Sequence, residues 1–241
     1  AISQIARNGA IASDVASTPT IANITPLATT ENMRSRCAGT CNECSTWTHR
    51  NNSARGAWTS TKSPEAIGPM LEKKGSLDGE AGSALVRALQ GTGPHPRYAG
   101  VSAAQGWGEG RLVGGSLSVC VASLGTSWEL DTRDAIVMLE DVTELPYRVD
   151  RMLQQLRAAG KFDRAAGIAL GSFTDCDDER TPDWTVERLF DEDFGGLGIP
   201  VVTGLPFGHG KENRPWPFAG RAALDGARGE LEILESAVTT R

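Results

Sequence analysis

His209 is one of only three histidines in 241 residues, and glycine flanks it on both sides. It follows an apolar run, Ile199-Pro200-Val201-Val202-Thr203-Gly204-Leu205-Pro206-Phe207, that leads into Gly208-His209-Gly210. A second run, Ala135-Ile136-Val137-Met138-Leu139, ends on Glu140-Asp141. Imidazole and carboxylate combine for proton transfer: the carboxylate orients the ring and the ring moves the proton. Short runs rich in β-branched residues and bounded by turn formers predict buried strands. A polar residue at such a strand end is held by a rigid element while its head faces a cleft. Glycines beside His209 leave the imidazole open and let a substrate backbone approach. The expected pair is Glu140 orienting His209, with His209 as general base and Asp141 competing for the role of Glu140. Taken alone, His209 reads equally as a structural or surface histidine, and Glu140 as a solvated strand end.

The elements that must position this pair follow an α/β pattern. The segment from Ser76 predicts a helix with Leu77, Ala81, Leu85, Val86 and Leu89 near one face, broken by Gln90 to Pro96. Gly106 to Gly115 reads as a glycine-rich turn region, and Ser116 to Leu124 as an apolar segment that Gly125 ends as a helix C-cap. Pro146 to Gly160 predicts a helix whose positions 149, 152, 153 and 156 share a face. Ala166 to Gly171 predicts a strand and Trp184 to Phe190 a helix. Residues 222–225 and 230–234 predict a closing hairpin. The expected divisions are an atypical segment over 1–65, a linking segment with a helix over 66–100, and a C-terminal domain over 101–241.

Bulk properties exclude some partners. A net charge of −6 and a pI near 5.2 argue against nucleic acid, which needs a basic face. No run reaches the length of a membrane-spanning helix, and the first residues lack the character of a signal peptide. Five cysteines, an odd number, do not make a disulfide framework, so a reducing, cytoplasmic setting is expected. The first 65 residues are crowded with Thr, Ser, Asn and Ala and offer little apolar surface to offset ordering entropy.

Cys37, Cys41 and Cys44 have the C-x₃-C-x₂-C spacing of radical S-adenosylmethionine enzymes. Glu43 stands where those motifs usually carry an aromatic. With His49 the three thiolates could instead hold zinc. The reading adopted is free thiols in a loose segment, with no metal.

In one order, five blocks resemble the C-terminal half of the LD-carboxypeptidase family, serine peptidases related to the microcin-immunity hydrolases. They are Gly110-Arg111-Leu112-Val113-Gly114-Gly115, Leu139-Glu140-Asp141-Val142, Pro146 to Leu153, Gly167 to Thr174, and Gly198 to Val201 leading into Gly204 to Gly210. The resemblance implies a swivelling β/α domain preceded here by a truncated or atypical N-terminal segment. It also implies a Ser-Glu-His triad with Glu140 and His209 in the last two places, no cofactor, and a homodimer. The implied substrate is a murein tetrapeptide that loses its terminal D-alanine. The family's nucleophile lies on a Gly-aromatic-Ser-Asp turn that is not found here. Ser13-Asp14 is the sole Ser-Asp pair, and Ala12 precedes it. Ser116 stands where the family usually has asparagine. Two alternatives remain open: a microcin-immunity-like amide hydrolase, or a catalytically inactive remnant that only binds or dimerises.

Overall fold

The computed structural model describes residues 66–69 and 79–238. Every described residue lies in one compact unit, which falls within Gly56–Arg241. Ser13, Cys37, Cys41, Cys44, His49 and the Ser76 cap therefore fall outside the described residues.

Four strands run parallel at the centre of an eight-stranded sheet: β4 (Trp107–Ser116), β5 (Ala135–Val142), β6 (Gly167–Thr174) and β7 (Val201–Thr203). Beside β4 lies the antiparallel hairpin of β9 (Arg221–Asp225) and β10 (Glu230–Ile233), as its sequence predicts. The sheet ends in β2 (Arg97–Ala99) against β10 and β3 (Val101–Ala104) against β7. Those end strands are consecutive in the chain, with Gly100 alone between them. One segment thus supplies both ends of the sheet. A separate two-stranded ladder joins β1 (Ala66–Ile67) to β8 (Trp216–Pro217).

Both faces of the central strands are covered, which is why their sequences read as unbroken apolar runs. Val137, Leu139, Ile168 and Leu170 pack beneath the helices, with Leu117, Val149, Leu153, Leu156 and Phe194. Ile136, Met138, Ala169 and Val202 point the other way, onto Tyr98, Leu112, Leu224 and Leu231. Residues from β2 at one end and from β7 near the other share this second cluster, so the sheet curls around it. Alternation along each strand feeds the two cores in turn.

The helices are α1 (Gly79–Gln90), α2 (Leu117–Ala122), α3 (Pro146–Ala158) and α4 (Val186–Phe194). Helix α3 matches its expected face and stops before Gly160, whose φ is +71°. Helix α4 begins two residues later than expected, where the Thr185 hydroxyl accepts from Arg188 N at 3.3 Å. It runs on past Phe190 because Phe194 also reaches the core. On α1 only Leu85 of the described face residues is buried, and Val86 and Leu89 are exposed.

Three expectations need correction. Helix α2 is capped by Ser123, two residues before Gly125. Residues 107–116 form the longest strand of the sheet rather than a turn region. The glycines are there because backbone packs on backbone: a Cβ at Gly110 would stand 2.6 Å from the Asp134 carbonyl oxygen. The apolar run before His209 is a strand only over 201–203. Gly204 turns the chain with φ +65°, and Pro206 has no N–H to give a ladder. Leu205 and Phe207 are nevertheless buried, so their hydrophobicity anchors a loop.

Candidate functional site

The C-terminal ends of the four parallel strands gather the polar residues, which is where open α/β sheets present their ligands. β4 ends on Ser116, β5 carries Glu140 and Asp141 near its end, β6 carries Ser172, and the loop after β7 carries His209. Ser116 is paired directly with Glu140 in the β4–β5 ladder.

Glu140 and His209 meet. Nδ1 of His209 lies 2.8 Å from Oε2 of Glu140, across 69 residues of sequence. Glu140 is only 8% exposed, so its carboxylate requires a partner to be tolerated there. The His209 side chain is 47% exposed, which leaves the far edge of the ring accessible. A carboxylate only accepts hydrogen bonds, so Nδ1 carries the proton and Nε2 is the nitrogen free to act as base. The arrangement can therefore accept a proton on Nε2 while Glu140 stabilises the resulting imidazolium.

The loop that carries His209 is tied to the sheet on both sides of the ring. Before it, Leu205 N donates to Leu170 O at 3.0 Å, and Ser172 N donates to Phe207 O at 2.9 Å. After it, Gly210 N donates to Ser172 Oγ at 2.8 Å. Arg214 N closes the far side of the loop onto Pro206 O at 2.7 Å. Gly208 has φ +98°, a conformation that favours glycine, and this turns the chain so that the ring reaches Glu140.

Asp141, adjacent in sequence to Glu140, points to the opposite face because strand side chains alternate. It is buried and accepts from Ser118 N at 2.8 Å and from Val142 N at 2.9 Å. Its carboxylate thereby fixes the start of α2, where Ser116 Oγ and Ser118 Oγ are 2.9 Å apart. Asp141 is occupied with backbone amides, whereas Glu140 faces the imidazole. On the buried face of α2, Cys120 is enclosed, and burial with the nearby Asp141 and Glu140 charges pushes its thiol up to about 11.

A cleft of about 800 Å³ reaches the site at Ser172, Gly210 and Lys211, although neither Glu140 nor His209 lines it. Arg214, on its wall, is engaged by Glu80 at 3.3 Å and Glu212 at 3.6 Å. His95 also lines this cleft, in the loop between Pro94 and Pro96. Among the described residues no group of three or more His, Cys, Asp or Glu could hold a metal ion, and no helix is long and apolar enough to cross a membrane. Among them, too, no hydroxyl is hydrogen-bonded to the His209 ring. Sequence reasoning passed over Ser172, Ser116 and Ser118 as participants in the site. Serines near strand ends carry no periodic signal, and only the register of the sheet brings them together.

Residues 109–224 match the LD-carboxypeptidase C-terminal domain. A Synechocystis sp. protein named as a candidate carboxypeptidase is 46% identical over 171 residues, covering 69% of this chain and 56% of its own length. The murein tetrapeptide carboxypeptidase of Pseudomonas aeruginosa is 39% identical over 121 residues, covering 50% of this chain and 39% of its own. The chain thus spans about half the length, or less, of these curated relatives. The crystal structure of muramoyltetrapeptide carboxypeptidase from Oxalobacter formigenes superposes with a TM-score of 0.63 at 32% identity, over 71% of this chain and 61% of that one. Residues 109–224 are thus an LD-carboxypeptidase C-terminal domain.

Proposed function

We propose that this domain supplies the acid–base pair of a serine LD-carboxypeptidase that releases terminal D-alanine from murein tetrapeptides. The observation that carries the proposal is the 2.8 Å contact of His209 Nδ1 with Glu140 Oε2 at the C-terminal ends of the parallel strands. In this reading a serine from outside the described residues presents its hydroxyl to Nε2. His209 removes the proton as Oγ attacks the scissile carbonyl, then gives it to the departing amine of D-alanine. Water next attacks the acyl-enzyme, again giving its proton to Nε2, and the proton returns to Oγ as the serine leaves. Glu140 holds the tautomer throughout and stabilises the transient imidazolium. General-base help of this kind contributes on the order of 10² to 10⁴ in rate. The serine mechanism, a homodimer and a cytoplasmic setting belong to the same reading, as does the division into segments 1–65, 66–100 and 101–241.

The test is D-alanine release from a murein tetrapeptide by the wild-type chain and by His209→Ala and Glu140→Gln variants. The expected outcome is release by wild type and a fall of about 10² to 10⁴ in both variants. Equal release by all three rules the pair out. A second reading, a domain that binds the peptide without cleaving it, is favoured by the lack of a hydroxyl partner for His209 among the described residues. Tetrapeptide binding without release by any of the three would select it. Hydrolysis of a peptide–nucleotide amide in preference to the tetrapeptide would instead select the microcin-immunity-like activity.

A further inference from the structure

Ser172 sits where the register between β5 and β6 slips. Leu139 faces Leu170, yet Asp141 faces Phe173, so Gly171 and Ser172 together stand opposite Glu140 alone. Such a bulge re-aims the side chain it carries, and bulges recur beside functional sites. Here it directs the Ser172 hydroxyl at the turn that bears the imidazole.

The hydroxyl makes two hydrogen bonds to that turn, one on each side of the ring. It donates to Phe207 O at 3.2 Å and accepts from Gly210 N at 2.8 Å. Phe207 is already anchored by its buried ring and by the Ser172 amide. On the other side, among the described residues, the bond from Gly210 N to Ser172 Oγ is what returns the turn to the sheet. Two small residues flank the imidazole and half of its surface is exposed, so packing restrains it little. Its place against Glu140 therefore depends on the backbone at 208 and 210.

We infer that Ser172 is a positioning residue, whose hydroxyl clamps the Phe207–Gly210 turn and so sets the His209 ring against Glu140 without touching the ring. The inference rests on the reading of Glu140 and His209 as the acid–base pair. In this geometry Ser172 is unsuited to be the nucleophile, because its proton is given to Phe207 O and not to the His209 ring. Geometry of this kind matters in rate: misplacing a catalytic group by about 1 Å can cost on the order of 10²-fold.

The test is solution NMR of the whole chain, following the hydrogen-bonded Nδ1–H proton of His209 in wild type, Glu140→Ala, Ser172→Ala and Ser172→Thr, with thermal midpoints alongside. The expected result is a signal in wild type, its loss in E140A, which removes the acceptor, and in S172A, and its retention in S172T, which keeps the hydroxyl. Retention in S172A with loss in E140A overturns the role of Ser172 while leaving the pair intact. An unchanged signal in E140A overturns the pair, and the inference with it. Loss in both Ser172 variants with equal falls in midpoint assigns the effect to packing at 172 and likewise overturns the role of the hydroxyl.

Discussion

Glu140 and the main chain of Gly208 are packed so closely that a Cβ on residue 208 would stand 2.7 Å from Glu140 Oε2. The same atom would stand 2.8 Å from Ser172 Oγ. The carboxylate, the clamp and the imidazole turn thus converge on one residue that lacks a side chain.

Gly208→Ala is therefore expected to act twice. It strains a backbone at φ +98°, at about 1–3 kcal/mol, and it drives the carboxylate off the imidazole. Denaturant midpoints and a crystal structure of the variant check this. An unchanged midpoint with the ring still on Glu140 would contradict it.

Asp141→Ala is expected to destabilise the fold by about 1–3 kcal/mol, because the amides of Ser118 and Val142 lose their carboxylate acceptor. Asp141→Asn keeps one carbonyl acceptor and should fall between. Both should leave the Glu140–His209 contact in place, since Asp141 lies on the opposite face of β5. Urea unfolding gives the first quantity and the His209 Nδ1–H signal the second. A stable variant that loses that signal would reverse the roles assigned to the two carboxylates.

Alkaline pH should weaken the fold. Burial raises the Tyr98 hydroxyl to about 12, and burial with neighbouring carboxylates raises Cys120 to about 11. Both folded values lie above the ordinary ones of 10.0 and 9.0, so the unfolded chain releases these protons first. Stability is then expected to be full below about pH 8, to decline from about pH 9 and to level off near pH 12. Tyr98→Phe should flatten the upper part of that decline, at the loss of the 2.7 Å bond to Pro215 O. Identical urea midpoints for wild type at pH 8 and pH 10.5 would refute the prediction.

Legibility in sequence followed how each residue is buried. β5 was plain because both of its faces are covered, leaving an unbroken apolar run that stops at Glu140. Helix α3 was plain because one face alone meets the core. Residues 107–116 misled because glycine has no side chain to show alternation, and the reason for it lies in neighbouring backbones. Residues 199–207 misled in the other direction: Leu205 and Phe207 are buried from a loop, so hydrophobicity there does not mean strand. The choice between Glu140 and Asp141 was already implicit in strand alternation, once Val137 and Leu139 are assigned to the helical face. Ser172 was not legible, because a register slip exists only when two strands are paired. Nor were β2 and β3, three and four residues long, whose partners lie far along the chain: Tyr98 pairs with Leu231 and Val101 with Thr203.

The split strand around Gly100 has a consequence for how this sheet can be approached. Its outermost strands are too short to template another chain, and they are halves of a single segment. Strand addition, a common route to self-assembly, is thus closed at both rims by the same few residues. Gly100 is thus the one link shared by the strands that cap the two rims.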